Sequence, residues 1–325
     1  MKSREDSVVL IGAAGTSTSF GVIKTLHEVW PKTVKTVAAD MSPPWLVASS
    51  SIATSAVQVP PILDSSFLER MKKILKDLHV DVYFPIIEDE ILLTSATEFR
   101  RQVAPHTVIL APSHESVAIC RDKFRAYRWL REAGIPTPQT WTAADSKMIP
   151  LETVLTKPRF GAGSLGVQQL PLAEIEKLNL TDDFILQEIC DKPEVTLDGF
   201  RSLDGAVTRV VCRERLEVKA GVCTKARVFE DEDLSKLGKA VAEGLNLTGN
   251  FCIQAMKSAN AQGWKITDIN PRPGAGTRLS VAAGVNLIAA TFANLWGEPY
   301  HHYLNRLPNE KFVVRSYSEH VNLQS

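Results

Sequence analysis

An excess of charge of either sign is what this 325-residue chain lacks, because 37 lysines and arginines balance 37 aspartates and glutamates. A polyanion such as DNA is held by neutralising its phosphates with a basic surface, so no nucleic acid partner is expected. Cysteine is scarce. The five thiols, Cys120, Cys190, Cys212, Cys223 and Cys252, form no C-x-x-C pair and have no histidine at zinc-finger spacing. They read as buried thiols in a reducing cytosol rather than as a disulfide or zinc framework. Long apolar runs are also missing. The first, Val8 to Ile11, is far shorter than the core of a secretory leader. The longest, Ser280 to Trp296, carries Asn286 and Asn294 and falls below the ~20 residues of a membrane span. It reads as one core-facing helix, and a cytoplasmic protein with no membrane partner is expected.

What is present is a pattern. The length suits two or three packed lobes. Short apolar runs alternate with helical patterns through the first third, as in a parallel sheet: strands at Ser7 to Ile11, Val34 to Ala39, Val82 to Pro85 and Val108 to Ala111, with helices at Gly21 to Trp30, Ser66 to His79 and Ile91 to Gln102. A charged amphipathic helix over Asp122 to Ala133 closes at Gly134 and the Pro136/Pro138 pair. Strands follow at Val154 to Pro158 and Phe184 to Glu188. The last third is antiparallel in flavour, with a hairpin about Asp204-Gly205 and strands at Asn250 to Met256 and Trp264 to Asn270. The expected class is α/β, becoming α+β in the C-terminal half. The expected lobes are 1–112, 113–186 and 187–325.

Six groups of residues could carry chemistry or shape its site. Gln254 on one strand and Asp268 and Asn270 on the next bring three oxygen donors to one sheet end, since residues two apart share a strand face. Such a set suits Mg²⁺ bound together with phosphate oxygens, and Arg272 just beyond can clamp a phosphoryl group. Lys157 ends a strand and leads into Gly161, Gly163, Ser164 and Gly166, a loop whose backbone N–H groups can approach phosphate, although no Gly-Lys-Ser/Thr follows. Phe184 to Cys190 places an apolar strand before a polar hinge able to hold adenine, with Glu194 placed for ribose hydroxyls. Arg213, Arg215 and Lys219 share a strand face with Glu217. Their mutual repulsion is relieved either by a bound carboxylate or phosphoryl group or by a solvated salt-bridged face. At the end of the third strand, Glu88, Asp89 and Glu90 either face a substrate ammonium or cap the next helix. The loop Gly12-Ala13-Ala14-Gly15 with Gly21 misses the G-x-G-x-x-G dinucleotide fingerprint and is read as a wall of a substrate cleft.

Taken in order, these segments resemble the ATP-grasp superfamily, in the branch of the carbamoyl-phosphate synthase large-chain ATP-binding domain and stand-alone amino-acid ligases. The resemblance runs from the glycine loop through Asp122-Lys123, Gly134-Ile135-Pro136-Thr137-Pro138, the Lys157 loop, Gln187-Glu188 and Arg213 to Val218. It ends at Asp268-Ile269-Asn270-Pro271-Arg272 with Gly274-Ala275-Gly276-Thr277. It implies a Rossmann-like leading domain, a small lid and an antiparallel catalytic domain. It also implies that Lys123 and Lys157 bind ATP phosphates, Gln187, Glu188 and Ile189 read adenine, and Glu194 holds ribose. By the same resemblance Gln254, Asp268 and Asn270 ligate Mg²⁺, with Mn²⁺ as an alternative, and Arg272 steadies the phosphoryl. The loop from Gly274 through Gly276 and Thr277 to Ser280 meets the carboxylate. Two departures stand out: Gln254 is neutral where many members place a carboxylate, and Asp268 is shorter than the commoner glutamate.

The expected activity is ATP-dependent ligation of a carboxylate to an amine through an acyl phosphate, releasing ADP and phosphate. Arg272, Arg215 and Lys157 would stabilise charge, and Glu88, Arg213, Arg215, Gly276 and Thr277 would bind substrate. The expected partners are a small carboxylate and an amine, amino acids among them, and a homodimer is compatible with this class. A non-catalytic ATP-binding regulator and an NAD(P)-linked oxidoreductase are the alternatives.

Overall fold

The structure, a computed structural model, describes residues 5–104, 106–161, 166–175, 177–178, 180–219, 221–258 and 263–323. Among these residues the strands form three sheets. The first holds β1 (Ser7–Ile11), β2 (Val34–Asp40), β3 (Ser55–Gln58), β4 (Val82–Phe84) and β5 (Val108–Ile109), ordered β3-β2-β1-β4-β5 with every pair parallel. Val9, Leu10 and Ile11 of β1 are wholly buried because helices cover both faces, which is why the strand reads as an unbroken apolar run. On one side lies α1 (Ser17–Val29); on the other lie α2 (Phe67–Asp77), α3 (Glu88–Ser95) and α4 (Thr97–Val103), with Phe67, Met71 and Phe99 in that core.

Two helices, α5 (His114–Arg121) and α6 (Lys123–Glu132), lead to a four-stranded antiparallel sheet. Its strands are β6 (Thr140–Thr142), β7 (Thr153–Pro158), β8 (Gln168–Pro171) and β9 (Phe184–Gln187), ordered β6-β9-β7-β8, with α7 (Leu172–Ile175) after β8. The third sheet is antiparallel and ordered β14-β13-β10-β11-β12-β15. It comprises β10 (Cys190–Arg201), β11 (Thr208–Lys219), β12 (Val222–Phe229), β13 (Gly249–Ser258), β14 (Trp264–Asn270) and β15 (Lys311–Val314). Strand alternation splits its two faces. Val195, Leu197, Val210, Ile253, Ala255 and Ile269 pack with Leu234 and Val241 of α8 (Glu232–Gly244), while Thr196, Arg213, Cys252, Gln254, Asp268 and Asn270 form the floor of a cavity.

The late helices α9 (Thr277–Ala282) and α10 (Leu287–Leu295) tie the lobes together. Phe292 of α10 meets Phe84 edge to face at 5.7 Å, and Trp296 meets Trp30 at 4.9 Å, so the leading sheet's core includes residues from the far end of the chain. No helix among the described residues is long and apolar enough to cross a membrane.

Several boundaries differ from the sequence reading. The helix expected over Ser280 to Trp296 is two helices, because Gly284 adopts φ +107° and Asn286 recaps the chain through Ala289 N–H. The helix expected over Ile91 to Gln102 begins earlier, at Glu88, and breaks at Ala96, whose ψ of 136° is extended. Likewise α1 starts at Ser17 rather than Gly21, since Thr16 caps it by accepting from Ser19 N–H at 3.2 Å.

Candidate functional site

A cavity of about 780 Å³ lies between the three sheets. That volume is in the range of a nucleotide-sized pocket. Its floor is the polar face of the antiparallel sheet, and β7, β9 and the Phe160-Gly161 turn form the facing wall. The leading sheet contributes Thr16, Ser17 and Thr18 at the start of α1 and Ile86 and Ile87 after β4, at the carboxyl ends of its strands.

Gln254 and Asp268 lie directly opposite each other in the β13–β14 ladder, and Asn270 is two residues on, opposite Cys252. All three line the cavity. Asn270 donates to Asp268 Oδ2 at 3.0 Å, and Arg272 donates to Asn270 Oδ1 at 3.2 Å and to the Pro273 carbonyl at 3.2 Å. The polar trio read from the sequence is therefore assembled on a rigid sheet, with Arg272 attached to it.

Lys157 reaches the same place from β7. Its ammonium donates to the Thr267 carbonyl at 3.2 Å, and burial pulls its pKa down to about 8 against the opposing pull of Asp268. Lys123 opens α6, lines the cavity and donates to the Gly161 carbonyl at 2.5 Å. Asp122, the cap of that helix, binds Arg159 through both oxygens at 2.7 and 2.8 Å, which fixes the strand end that carries the lysine loop. Gly161 lines the cavity, whereas Gly163 and Ser164 lie outside the described residues.

At the other end Gln187, Glu188 and Ile189 line the wall with Leu155 and Met256. Their side chains are occupied structurally. Gln187 donates to Thr140 Oγ1 at 2.8 Å, and Glu188 accepts from Lys265 at 2.6 and 2.8 Å and from Gln139 N–H at 3.1 Å. Glu194, expected at the ribose, forms an ion pair with Arg215.

Of the residues expected at the substrate, Arg213, Arg215 and Gly276 line the cavity, whereas Glu88 and Thr277 are not among its lining residues. Arg213 has an internal counter-charge: it is buried and donates to both oxygens of Asp198, at 2.8 and 3.3 Å. Burial works to lower the Arg213 pKa and the Asp198 carboxylate overrides it, so the guanidinium stays charged. Asp198 also accepts from Thr277 at 2.9 Å and Ser280 at 2.6 Å, so Thr277 is a buried bracket rather than a cavity wall. Gly276 lies flat on the arginine; a β-carbon there would sit 2.4 Å from its Cζ and Nη1. Glu217 and Lys219 pair 3.6 Å apart, with Lys225 3.0 Å from the same glutamate, and none of the three lines the cavity.

The acids after β4 also divide. Glu90 accepts from Ile86 N–H at 2.9 Å and from Tyr83 OH at 2.6 Å, a capping role, and Asp89 pairs with Arg121 at 2.7 Å. Glu88 is not among the cavity-lining residues and faces Arg272 at 3.8 Å. Burial, and then the nearness of Asp268, raises its pKa. Sequence reasoning missed Asp198 altogether. Its only signal was a single charged residue inside the buried stretch of β10 from Val195 to Phe200.

Comparison with known proteins accords with this geometry. The family described as ATP-grasp in the biosynthetic pathway with Ter operon matches residues 181–319, and the PylC-like N-terminal domain matches residues 9–108. No curated protein matches the chain by sequence. Among solved structures, N5-carboxyaminoimidazole ribonucleotide synthetase from Thermotoga maritima aligns with TM-score 0.70 at 18% identity, over 93% of this chain and 78% of that one. Biotin carboxylase from Campylobacter jejuni aligns with TM-score 0.72 at 15% identity, over 94% and 74%. Rhizobium etli pyruvate carboxylase aligns with TM-score 0.72 at 16% identity, over 95% of this chain but 31% of its own. One matched region thus lies toward each end of the chain, an ATP-grasp region over residues 181–319 and a PylC-like region over residues 9–108, and the solved structures share the fold of the whole.

Proposed function

We propose that the protein joins a small carboxylate to an amine at the cost of ATP, through an acyl phosphate. The observation that carries this reading is the convergence of Gln254, Asp268 and Asn270 with Lys157 and Lys123 on one nucleotide-sized cavity. One solved structure of the same fold, the Campylobacter jejuni biotin carboxylase, is a complex with β,γ-ATP. Adenine would lie beside Leu155, Ile189 and Met256, and the phosphates would run toward the lysines.

The donor set fits Mg²⁺. Mg²⁺ is usually held by one or two carboxylates with the remaining positions filled by water and phosphate, and Asp268 supplies the charge while Gln254 and Asn270 supply neutral oxygens. When bound, the ion would screen the phosphate charge and polarise the γ-phosphoryl group.

In the first step a carboxylate oxygen of the substrate attacks the γ-phosphorus, and the bond from that phosphorus to the ADP oxygen breaks. Lys157 and Lys123 hold the phosphate oxygens, and Arg272 neutralises charge on the migrating group. In the second step the amine nitrogen attacks the acyl carbon, phosphate leaves with the bond electrons, and the nitrogen loses a proton. The amide, ADP and phosphate are the products. The burial of Lys157 matters because an ammonium away from water stabilises phosphoryl charge more strongly than a solvated one.

The test is ADP release with Mg-ATP over a panel of amino acids and small carboxylates, singly and in pairs. Release that requires one carboxylate and one amine together supports the reading. Mg-ATP binding with no release for any pair would point instead to a non-catalytic nucleotide-binding protein.

A further inference from the structure

Asn270 is spoken for on both sides of its amide. Its nitrogen donates to Asp268, and its oxygen accepts from Arg272 Nη2 at 3.2 Å. The same Arg272 nitrogen lies 3.8 Å from Glu88 Oε1, at the first turn of α3 in the leading sheet's layer. One guanidinium therefore stands between a strand of the C-terminal sheet and a helix of the leading domain, where the charges of Asp268 and Glu88 meet. The two contacts are unequal. The Asn270 contact is a formed hydrogen bond, whereas 3.8 Å to Glu88 is an ion pair without one, which leaves that carboxylate capacity to take the arginine over.

We propose, on the reading that residues 254, 268 and 270 hold a divalent cation, that Arg272 is the resident counter-ion of that site, that the cation displaces it from Asn270, and that Glu88 then keeps the freed guanidinium beside the site. The physical ground is competition. A metal and an arginine N–H cannot both use the Asn270 oxygen in the same direction, and two cations in a half-buried site repel. Arrival of the metal and release of the arginine then become one event, so Arg272 passes from Asn270 to Glu88 only in the loaded site. Glu88 is a positioning residue in this account, acting through Arg272 and not through a substrate ammonium. It also explains why an acid that does not line the cavity is held against an arginine attached to the trio.

The test is Mn²⁺ binding to the nucleotide-free protein, followed by electron paramagnetic resonance, with thermal unfolding as the check on folding. Arg272→Gln keeps the length of the side chain and removes its charge, and it should bind Mn²⁺ at least about fivefold more tightly than the wild type. Glu88→Gln should weaken Mn²⁺ in the wild-type background and weaken it less in the Arg272→Gln background, because the retained arginine is what Glu88 acts through. Arg272→Met serves the same purpose if Arg272→Gln does not fold. Asp268→Asn should abolish binding. Loss of binding in Asp268→Asn without any gain in the Arg272 variants overturns the exchange alone. Undiminished binding in Asp268→Asn overturns the site reading and the exchange with it.

Discussion

The ammonium of Lys157 donates to the carbonyl of Thr267 at 3.2 Å, so a lysine from the small sheet ends beside the acid-bearing strand 110 residues further along the chain. Burial holds its pKa at about 8, below the ~10.4 of a free lysine. Between these values the unfolded chain binds more protons than the folded one, so this group's contribution makes stability rise with pH across that window. Nucleotide binding runs the other way, because phosphate needs the charged form. Affinity of the free protein for a non-hydrolysable ATP analogue is expected to fall as pH rises through about 8. Lys157→Met should lose that dependence and reduce ADP release by at least ~100-fold, as expected for removing a group that stabilises transition-state charge. Calorimetric titration from neutral pH upward reads the first effect, and a flat wild-type profile would contradict it.

Asp198 holds Arg213, Thr277 and Ser280 together without solvent. Replacing it by alanine strands a buried guanidinium, a change that typically costs ~3–5 kcal/mol. Urea unfolding of Asp198→Ala should show a loss of that order, whereas Ser280→Ala removes one of several partners and should cost about 1–2 kcal/mol.

Gln254 is a neutral residue directly opposite Asp268. Gln254→Glu adds a second carboxylate to the proposed metal site and should lower the Mg²⁺ concentration that half-saturates ADP release. Asp268→Asn should remove Mg²⁺-dependent release. If Gln254→Glu raised the Mg²⁺ requirement, Gln254 would not be facing the ion.

Glu194 and Arg215 neutralise each other at the cavity edge. If Glu194 holds a ribose, Glu194→Gln should raise the KM for ATP and leave kcat nearly unchanged. Arg215→Ala should free Glu194 and alter both. The two effects should be non-additive in the double variant, since the residues are in contact.

The sequence by itself determined the class of each lobe and the chemistry available to it, although β3, β6, β8, β12 and β15 were not legible in it. β1 reads as a buried parallel strand because both of its faces are covered, and alternation along β14 puts Asp268 and Asn270 on one face whatever its register with β13. Local signals set helix breaks too, yet Gly284 and Asn286 in the middle of an apolar stretch were outweighed by its hydrophobicity in the reading of one long helix. Tertiary structure decided the charge pairing. Nothing in the spacing of Asp198, Arg213 and Thr277 says that they meet, because register between β10 and β11 and the path of the loop before α9 are set by packing over many residues. The same holds for Glu88 and Arg272, which lie far apart in sequence on different layers. Residue type fixes what a side chain can bind, whereas the partner that satisfies a buried charge is selected only when distant strands close on one another and exclude water.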